Sequence, residues 1–233
     1  MHNLGRKTLA VFAPLAIFAA LLIGPSLASA EVFEPAEWTV NGEPLPEGNT
    51  EGVEFSGRLS ITGALGSVEC NVSGTDDIFN VAGGATKAQD EITAFNIEPG
   101  ANCVTTEALT GCTVAATSTT AAATPWPTQA SLKNGGADGN IEIKNVEFTN
   151  TFGGTCPFAG ATLKVGGPGE EINGTVTFGV DESSPCFPYE VKEIDFENAG
   201  PLSTEPNIGP VVVNGSVTVT PENADCVNLD PES

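Results

Sequence analysis

The densest chemical constellation in the chain is Glu193-Ile194-Asp195-Phe196-Glu197. Alternate side chains of a β-strand share a face, so on a strand Glu193, Asp195 and Glu197 would stand together, with Ile194 and Phe196 opposite. Two carboxyls on one surface are the set that glycoside hydrolysis uses as nucleophile and acid/base, and a third carboxylate between them would push their pKa values apart. The competing reading is an acidic, solvent-facing side of a half-buried strand. Asp76, Asp77, Asp138 and Asp181 sit in stretches rich in Gly, Asn, Asp and Thr and offer hard oxygen donors for calcium. Their spacing is not D-x-[DN]-x-[DN]-G, and ordinary turn chemistry uses the same residues. Trp126, framed by Pro125 and Pro127, and Tyr189, in Cys186-Phe187-Pro188-Tyr189, are rigid aromatics of the kind on which sugars stack. A Pro-flanked Trp also serves to plug the end of a sandwich.

The elements that must position these residues start after an export signal. Residues 1–30 have a basic start (Arg6, Lys7), an uncharged and mostly apolar run over 8–23, and the small-residue pattern Ala28-Ser29-Ala30, which predicts a cleaved secretory signal. Residues 31–233 then carry 6 Lys+Arg against 30 Asp+Glu, a net charge of −24 compared with −22 for the whole chain. So acidic a chain is unsuited to nucleic acid, which is bound through basic residues. With the signal removed, no membrane segment is expected, and secretion to the extracellular side follows. The only histidine, His2, leaves with the signal. Chemistry that needs imidazole is therefore excluded, including Ser-His-Asp nucleophiles and His-ligated metals.

Six cysteines remain, Cys70, Cys103, Cys112, Cys156, Cys186 and Cys226, separated by 33, 9, 44, 30 and 40 residues. An even number in an exported chain predicts three disulfides, and the absence of Cys-x-x-Cys argues against a zinc cluster or a thioredoxin-like pair. The nine-residue spacing of Cys103 and Cys112 favours a local bridge across a hairpin.

No stretch beyond the signal shows helical periodicity; short Val/Ile/Thr/Phe runs are cut by 27 Gly and 17 Pro across the chain. The clearest strand is 53–62, where Val53, Phe55, Leu59 and Ile61 share one parity. The same alternation marks Val176, Phe178 and Val180, and again Val217 and Val219. Further strands are expected at 37–41, 67–73, 91–97, 111–118, 140–149, 159–165 and 189–197. The pattern Gly57-Arg58-Leu59-Ser60-Ile61 recurs at Gly174 and Gly215, too irregularly for a solenoid. Residues 31–50 form a Pro- and Glu-rich lead-in that packs Trp38 onto a sheet, and 51–233 form one domain. About ten short strands predict an all-β, disulfide-bonded fold, an antiparallel β-sandwich or jelly roll.

Two resemblances bear on function. Glu193 to Glu197 resembles the E-[ILV]-D-x-E signature of jelly-roll glucanases, which implies Glu193 as nucleophile and Glu197 as acid/base. That family lines its cleft with many Trp and Tyr, whereas residues 31–233 hold only Trp38, Trp126 and Tyr189. Separately, Gly66-Ser67-Val68-Glu69-Cys70-Asn71-Val72, Cys103, Ala108-Leu109-Thr110-Gly111-Cys112-Thr113-Val114, Pro125-Trp126-Pro127 and Glu142-Ile143-Lys144-Asn145-Val146 resemble uncharacterised exported proteins of high-GC actinobacteria. The likeness spans about residues 53–180 and implies a secreted β-rich protein without a known activity. Cys186 and Cys226 depart from that group. The expectation is a non-enzymatic, extracellular or envelope-associated structural or binding module, without a cofactor, whose partner is a cell-surface glycan or protein. The alternatives are a glycosidase using Glu193 and Glu197, and a glycan-binding module without hydrolysis.

Overall fold

A strict alternation of inward and outward residues governs the longest strands. In Gly66–Asn80 every second residue from Val68 to Asn80 faces inward while Ser67, Glu69, Asn71, Ser73, Thr75 and Asp77 face out, the signature of a sheet with one apolar side. The structure is a computed structural model and describes residues 33–83, 86–98, 103–118, 125–133, 138–179, 190–224 and 226–232. The expected export signal lies outside the described residues. Residues 31–233 form one unit, so the lead-in belongs to the same body as the rest.

Eight strands carry the architecture: β4 (Thr50–Gly63), β5 (Gly66–Asn80), β6 (Ala88–Ile97), β9 (Trp126–Lys133), β10 (Asp138–Lys144), β13 (Glu171–Gly179), β14 (Glu190–Leu202) and β16 (Val211–Pro221). They pair antiparallel in the order β9-β10-β13-β14-β16-β4-β5-β6. A further pairing of β6 with β9 joins Gln89–Ile92 to Trp126–Gln129 and closes the sheet into a barrel. The all-β, antiparallel, disulfide-bonded expectation holds. The sandwich is corrected to a closed barrel, because the strand that would have been a free edge is paired. Short β1 (Phe33–Glu34) and β7 (Cys103–Thr105) extend β9 and β5.

Two smaller sheets cover the ends. β2 (Ala36–Val40), β3 (Glu43–Pro44) and β17 (Val227–Pro231) form one, in the order β17-β2-β3. Its Trp38, Leu45, Val227 and Leu229 pack with Val53, Ile78, Leu132 and Val176 at one mouth of the barrel. The Asn41-Gly42 turn between β2 and β3 has positive φ at both residues, the requirement of a tight hairpin. β8 (Cys112–Ser118), β11 (Glu147–Gly154), β12 (Thr162–Gly166) and β15 (Thr204–Glu205) form the other, in the order β15-β12-β11-β8. Val114, Phe148, Phe152 and Val165 of this sheet join Leu59, Val68, Ile172 and Val213 at the opposite mouth.

The first lid is held by polar side chains that are fully used. Asn80 Oδ1 accepts from the Trp38 amide (2.7 Å), and its Nδ2 donates to the Trp38 and Leu45 carbonyls (2.9 and 2.8 Å). Thr86 Oγ1 accepts from the Ala36 amide and donates to the Ala36 carbonyl.

Disulfides join Cys70 to Cys103 and Cys112 to Cys156, which corrects the expected local Cys103–Cys112 bridge. The ladder of β5 with β7 sets Cys70 directly opposite Cys103, and that of β8 with β11 sets Cys112 opposite Gly154, two residues before Cys156. Cys226 is also disulfide-bonded; Cys186 lies outside the described residues.

The recurring glycine pattern has a packing cause. A side chain at Gly174 would collide with the methyl groups of Ile194 and Ile141 and the ring of Phe196, and one at Gly215, where φ is +125°, with the Arg58 carbonyl across the ladder. These positions admit bulky neighbours or close backbones inside a curved sheet.

Candidate functional site

The inward parity of β5 and β6 places two acidic residues where apolar ones are the rule. Asp76 shares its face with Val72 and Ile78, and Asp90 shares its face with Ala88 and Ile92. In the ladder Asp76 lies opposite Ile92, and Asp90 lies between Ile78 on β5 and Thr128 on β9. Asp76 is 7 % exposed and Asp90 1 %. The two carboxyls are hydrogen-bonded to each other through a shared proton, and Asp76 also accepts from the Asp77 and Glu91 amides; no other group among the described residues hydrogen-bonds Asp90. Burial pushes Asp76 up to about 6 despite the lowering influence of Asp90 and of the Asp77 and Glu91 amides. Burial first, then the charge of Asp76, holds Asp90 well above the ordinary carboxylate range.

The indole of Trp126 adds a third buried polar group, 2 % exposed, whose Nε1 has no partner. By contrast, Trp38 Nε1 donates to the Gln89 carbonyl at 3.0 Å. Trp126 packs against Phe95, ring centroids 5.3 Å apart, and Phe95 packs in turn on Phe148 at 5.6 Å.

These groups line a chamber of about 70 Å³ inside the barrel. Trp38, Ile78, Ile92 and Val176 are among its apolar walls, and Asp76 and Asp90 are its only titratable side chains among the described residues. No Lys or Arg lines it. A second cavity of about 160 Å³ lies between the barrel and the β15-β12-β11-β8 sheet, lined by Leu65, Phe152 and Ile208 among others. None of the unpartnered buried atoms borders it.

The residues singled out by sequence fall elsewhere or take other parts. Glu193, Asp195 and Glu197 lie on the outside of β14, while Ile194 and Phe196 face the chamber. Asp195 accepts from Thr177 Oγ1 at 3.2 Å. Asp195 and Glu197 border a surface depression with Arg58, Glu69, Asn214 and Ser216, where Phe196 is the sole aromatic among the described residues. Of the two readings of Trp126, an exposed platform or a buried plug, its burial at 2 % exposure inside the barrel fits the plug. Tyr189 lies outside the described residues.

The calcium candidates do not converge. Asp76 points inward and its neighbour Asp77 outward, Asp138 is exposed on β10, and Asp181 lies outside the described residues. Among the described residues no group of three or more His, Cys, Asp or Glu is arranged to hold a metal ion.

Asp90 was not a candidate in the sequence, although its parity with Ala88 and Ile92 is legible there. Asp76 was, as part of a loop; the structure places it on β5, sharing an inward face with Val68, Cys70, Val72 and Ile78. Comparison with protein-family models, with curated proteins and with solved structures found no match.

Proposed function

We propose that this protein is an exported, non-enzymatic binding protein whose ligand sits inside the barrel. The observation that carries this reading is the apolar chamber inside the barrel, whose lining residues include the buried acidic pair Asp76 and Asp90 and Trp126, whose indole N–H has no partner. Each buried polar group left unsatisfied costs about 1–3 kcal/mol, more when charged. Asn80 and Thr86 find all their partners within the protein, whereas the chamber keeps an acidic pair and an unpartnered indole N–H among apolar walls, an arrangement that a bound molecule would complete.

Export is supported by disulfides, which suit an oxidising compartment. The outward faces of β4 and β5 carry Glu54, Ser56, Arg58, Ser60, Glu69, Asn71 and Ser73 around an apolar interior, the reverse of a membrane-spanning barrel. Val104 is the one large exposed apolar side chain among the described residues, which favours an internal ligand over docking through an apolar face. For the glycosidase alternative, the described residues supply no aromatic-lined groove in front of Glu193 and Glu197.

Native mass spectrometry of the protein isolated as exported from its source tests the proposal. The expected spectrum shows a non-covalent adduct that disappears in a chamber-filling Val176→Phe variant. A spectrum without an adduct, together with hydrolysis of mixed-linkage glucan that Glu193→Gln abolishes, would overturn it.

A further inference from the structure

The carboxyl pair sits beside the joint that closes the barrel. Asp76 and Asp90 are diagonal neighbours on the inward face of β5 and β6, Asp76 opposite Ile92 and Asp90 opposite Ile78. On its other side Asp90 pairs with Thr128 of β9, within the ladder that turns the sheet into a barrel. Among the described residues that ladder is the shortest of the barrel: it spans four residue pairs, compared with five between β13 and β14 and fourteen between β4 and β5. Pro127, opposite Glu91 in it, has no amide hydrogen to give to any ladder. We infer that the β6–β9 seam is a proton-controlled gate in the barrel wall, closed while Asp76 and Asp90 share a proton and parted when the pair ionises.

The pair has no counter-charge inside the protein. β4 presents Val53 to Asp76 and β9 presents Thr128 to Asp90, and no Lys or Arg lines the interior. Glu51, which shares the parity of Val53 on β4, accepts from the Asn223 amide at 3.1 Å. On β2, Glu37 is held by Lys87 Nζ at 3.3 Å. Asp77 and Glu91, next in sequence to the pair, point outward, and the charge of Asp77 further raises Asp76. A buried carboxylate without a counter-charge is strongly disfavoured, and two so close repel when both ionise. Burial accordingly holds both above the ordinary carboxylate range, Asp76 at about 6. An open seam gives the carboxyls water instead. The closed seam therefore binds their protons more tightly than the open one, so rising pH shifts the balance toward opening.

The break falls at this ladder because β6 keeps nine residue pairs with β5, and β9 keeps six with β10. Both mouths of the barrel are covered by the smaller sheets, whereas Ile92 and Trp126 of the seam line the chamber. A parted seam is thus a way in from the side. Its use as an entry rests on the binding reading above; the opening itself does not.

Amide hydrogen exchange of the exported protein, followed by NMR at pH 5 and pH 8, tests the gate through protection factors, which remove the intrinsic pH dependence of exchange. Amides bridging Gln89–Ile92 to Trp126–Gln129 should lose protection at least about tenfold between these values, since an opening that releases one proton gains tenfold per pH unit. Local parting exposes little surface. At pH 8 these amides should therefore exchange faster than those of Leu59 and Val72, and dilute urea should speed exchange of the latter pair only. The double variant Asp76→Asn, Asp90→Asn, which has no proton to lose there, should show no such pH response at the seam. Seam protection that is equal at both pH values, or that tracks Leu59 and Val72 in both pH and urea, overturns the gate, as does a double variant that keeps the wild-type response. The wild-type comparison stands alone if the variant does not fold. The binding reading is decided separately, by the native mass spectrum.

Discussion

Replacing Asp76 by Asn tests the account of the carboxyl pair through stability alone, without any ligand. In the folded barrel Asp76 titrates near 6 against 3.8 for an ordinary aspartate. The folded protein therefore binds this proton more tightly than the unfolded chain, and stability falls as pH rises between the two values. The stabilisation is complete below pH 3.8 and is lost as pH climbs through about 6. A difference of roughly two pKa units corresponds to about 3 kcal/mol at 1.36 kcal/mol per unit. An Asn cannot ionise, so Asp76→Asn should escape this loss. Compared with wild type, it should gain about 3 kcal/mol between pH 4 and pH 8, or about 6–12 °C in Tm for a domain of this size. Melting curves by near-UV circular dichroism at unit steps from pH 4 to pH 8 measure it. Taking the difference between variant and wild type removes the general self-repulsion of the acidic surface, which is common to both. The divergence should grow from pH 4 through 6 and persist to pH 8, because the substitution also removes the charge that raises Asp90. Parallel Tm profiles, or a variant that loses ground as pH rises, would refute the reasoning.

Asn80→Ala strips three hydrogen bonds from the lid formed by β17-β2-β3 and should cost at least about 3 kcal/mol at 1–3 kcal/mol per group left unsatisfied, measured by urea unfolding. Removing the Cys112–Cys156 bridge, which closes a separation of 44 residues, should lower stability by up to about 4 kcal/mol, read as a fall in denaturation midpoint of the double Ala variant. Gly174→Val, which forces a side chain against Ile194, Ile141 and Phe196, should overpack the barrel and cost about 1–3 kcal/mol, visible in calorimetry. Glu193→Gln, on the outer face, should change stability by less than about 0.5 kcal/mol and leave ligand binding intact; a loss of binding would relocate the site to the outside of β14.

Class and strand positions were legible because period-two alternation is a local signal. Val53, Phe55 and Leu59 face inward as their parity demands, and so do Val176 and Val217. Closure was not legible: a sandwich and a barrel have the same alternation, and what separates them is the pairing of Gln89–Ile92 with Trp126–Gln129. The second partner in that seam was not among the expected strands, since Pro125, Pro127 and the polar Thr128, Gln129 and Ser131 interrupt the apolar pattern. Residues 140–149 read as one strand, yet Asn145 at φ 56° turns a corner and hands the chain from β10 to β11 in a different sheet. The disulfides followed long-range register instead of short spacing. The interior carboxyls could have been found by applying the parity rule to Asp76 and Asp90 as strictly as to the apolar residues beside them. The outward set from Glu193 to Glu197 drew attention because its spacing matched a motif, whereas the inward pair is separated by a turn and matches none.

The most direct measurement is a high-resolution crystal structure of the protein isolated as exported, inspected inside the barrel. The account predicts connected density of a bound organic molecule inside the barrel, against the apolar walls that include Ile78, Ile92 and Val176. An empty chamber, or one filled only by separate water molecules, would contradict it.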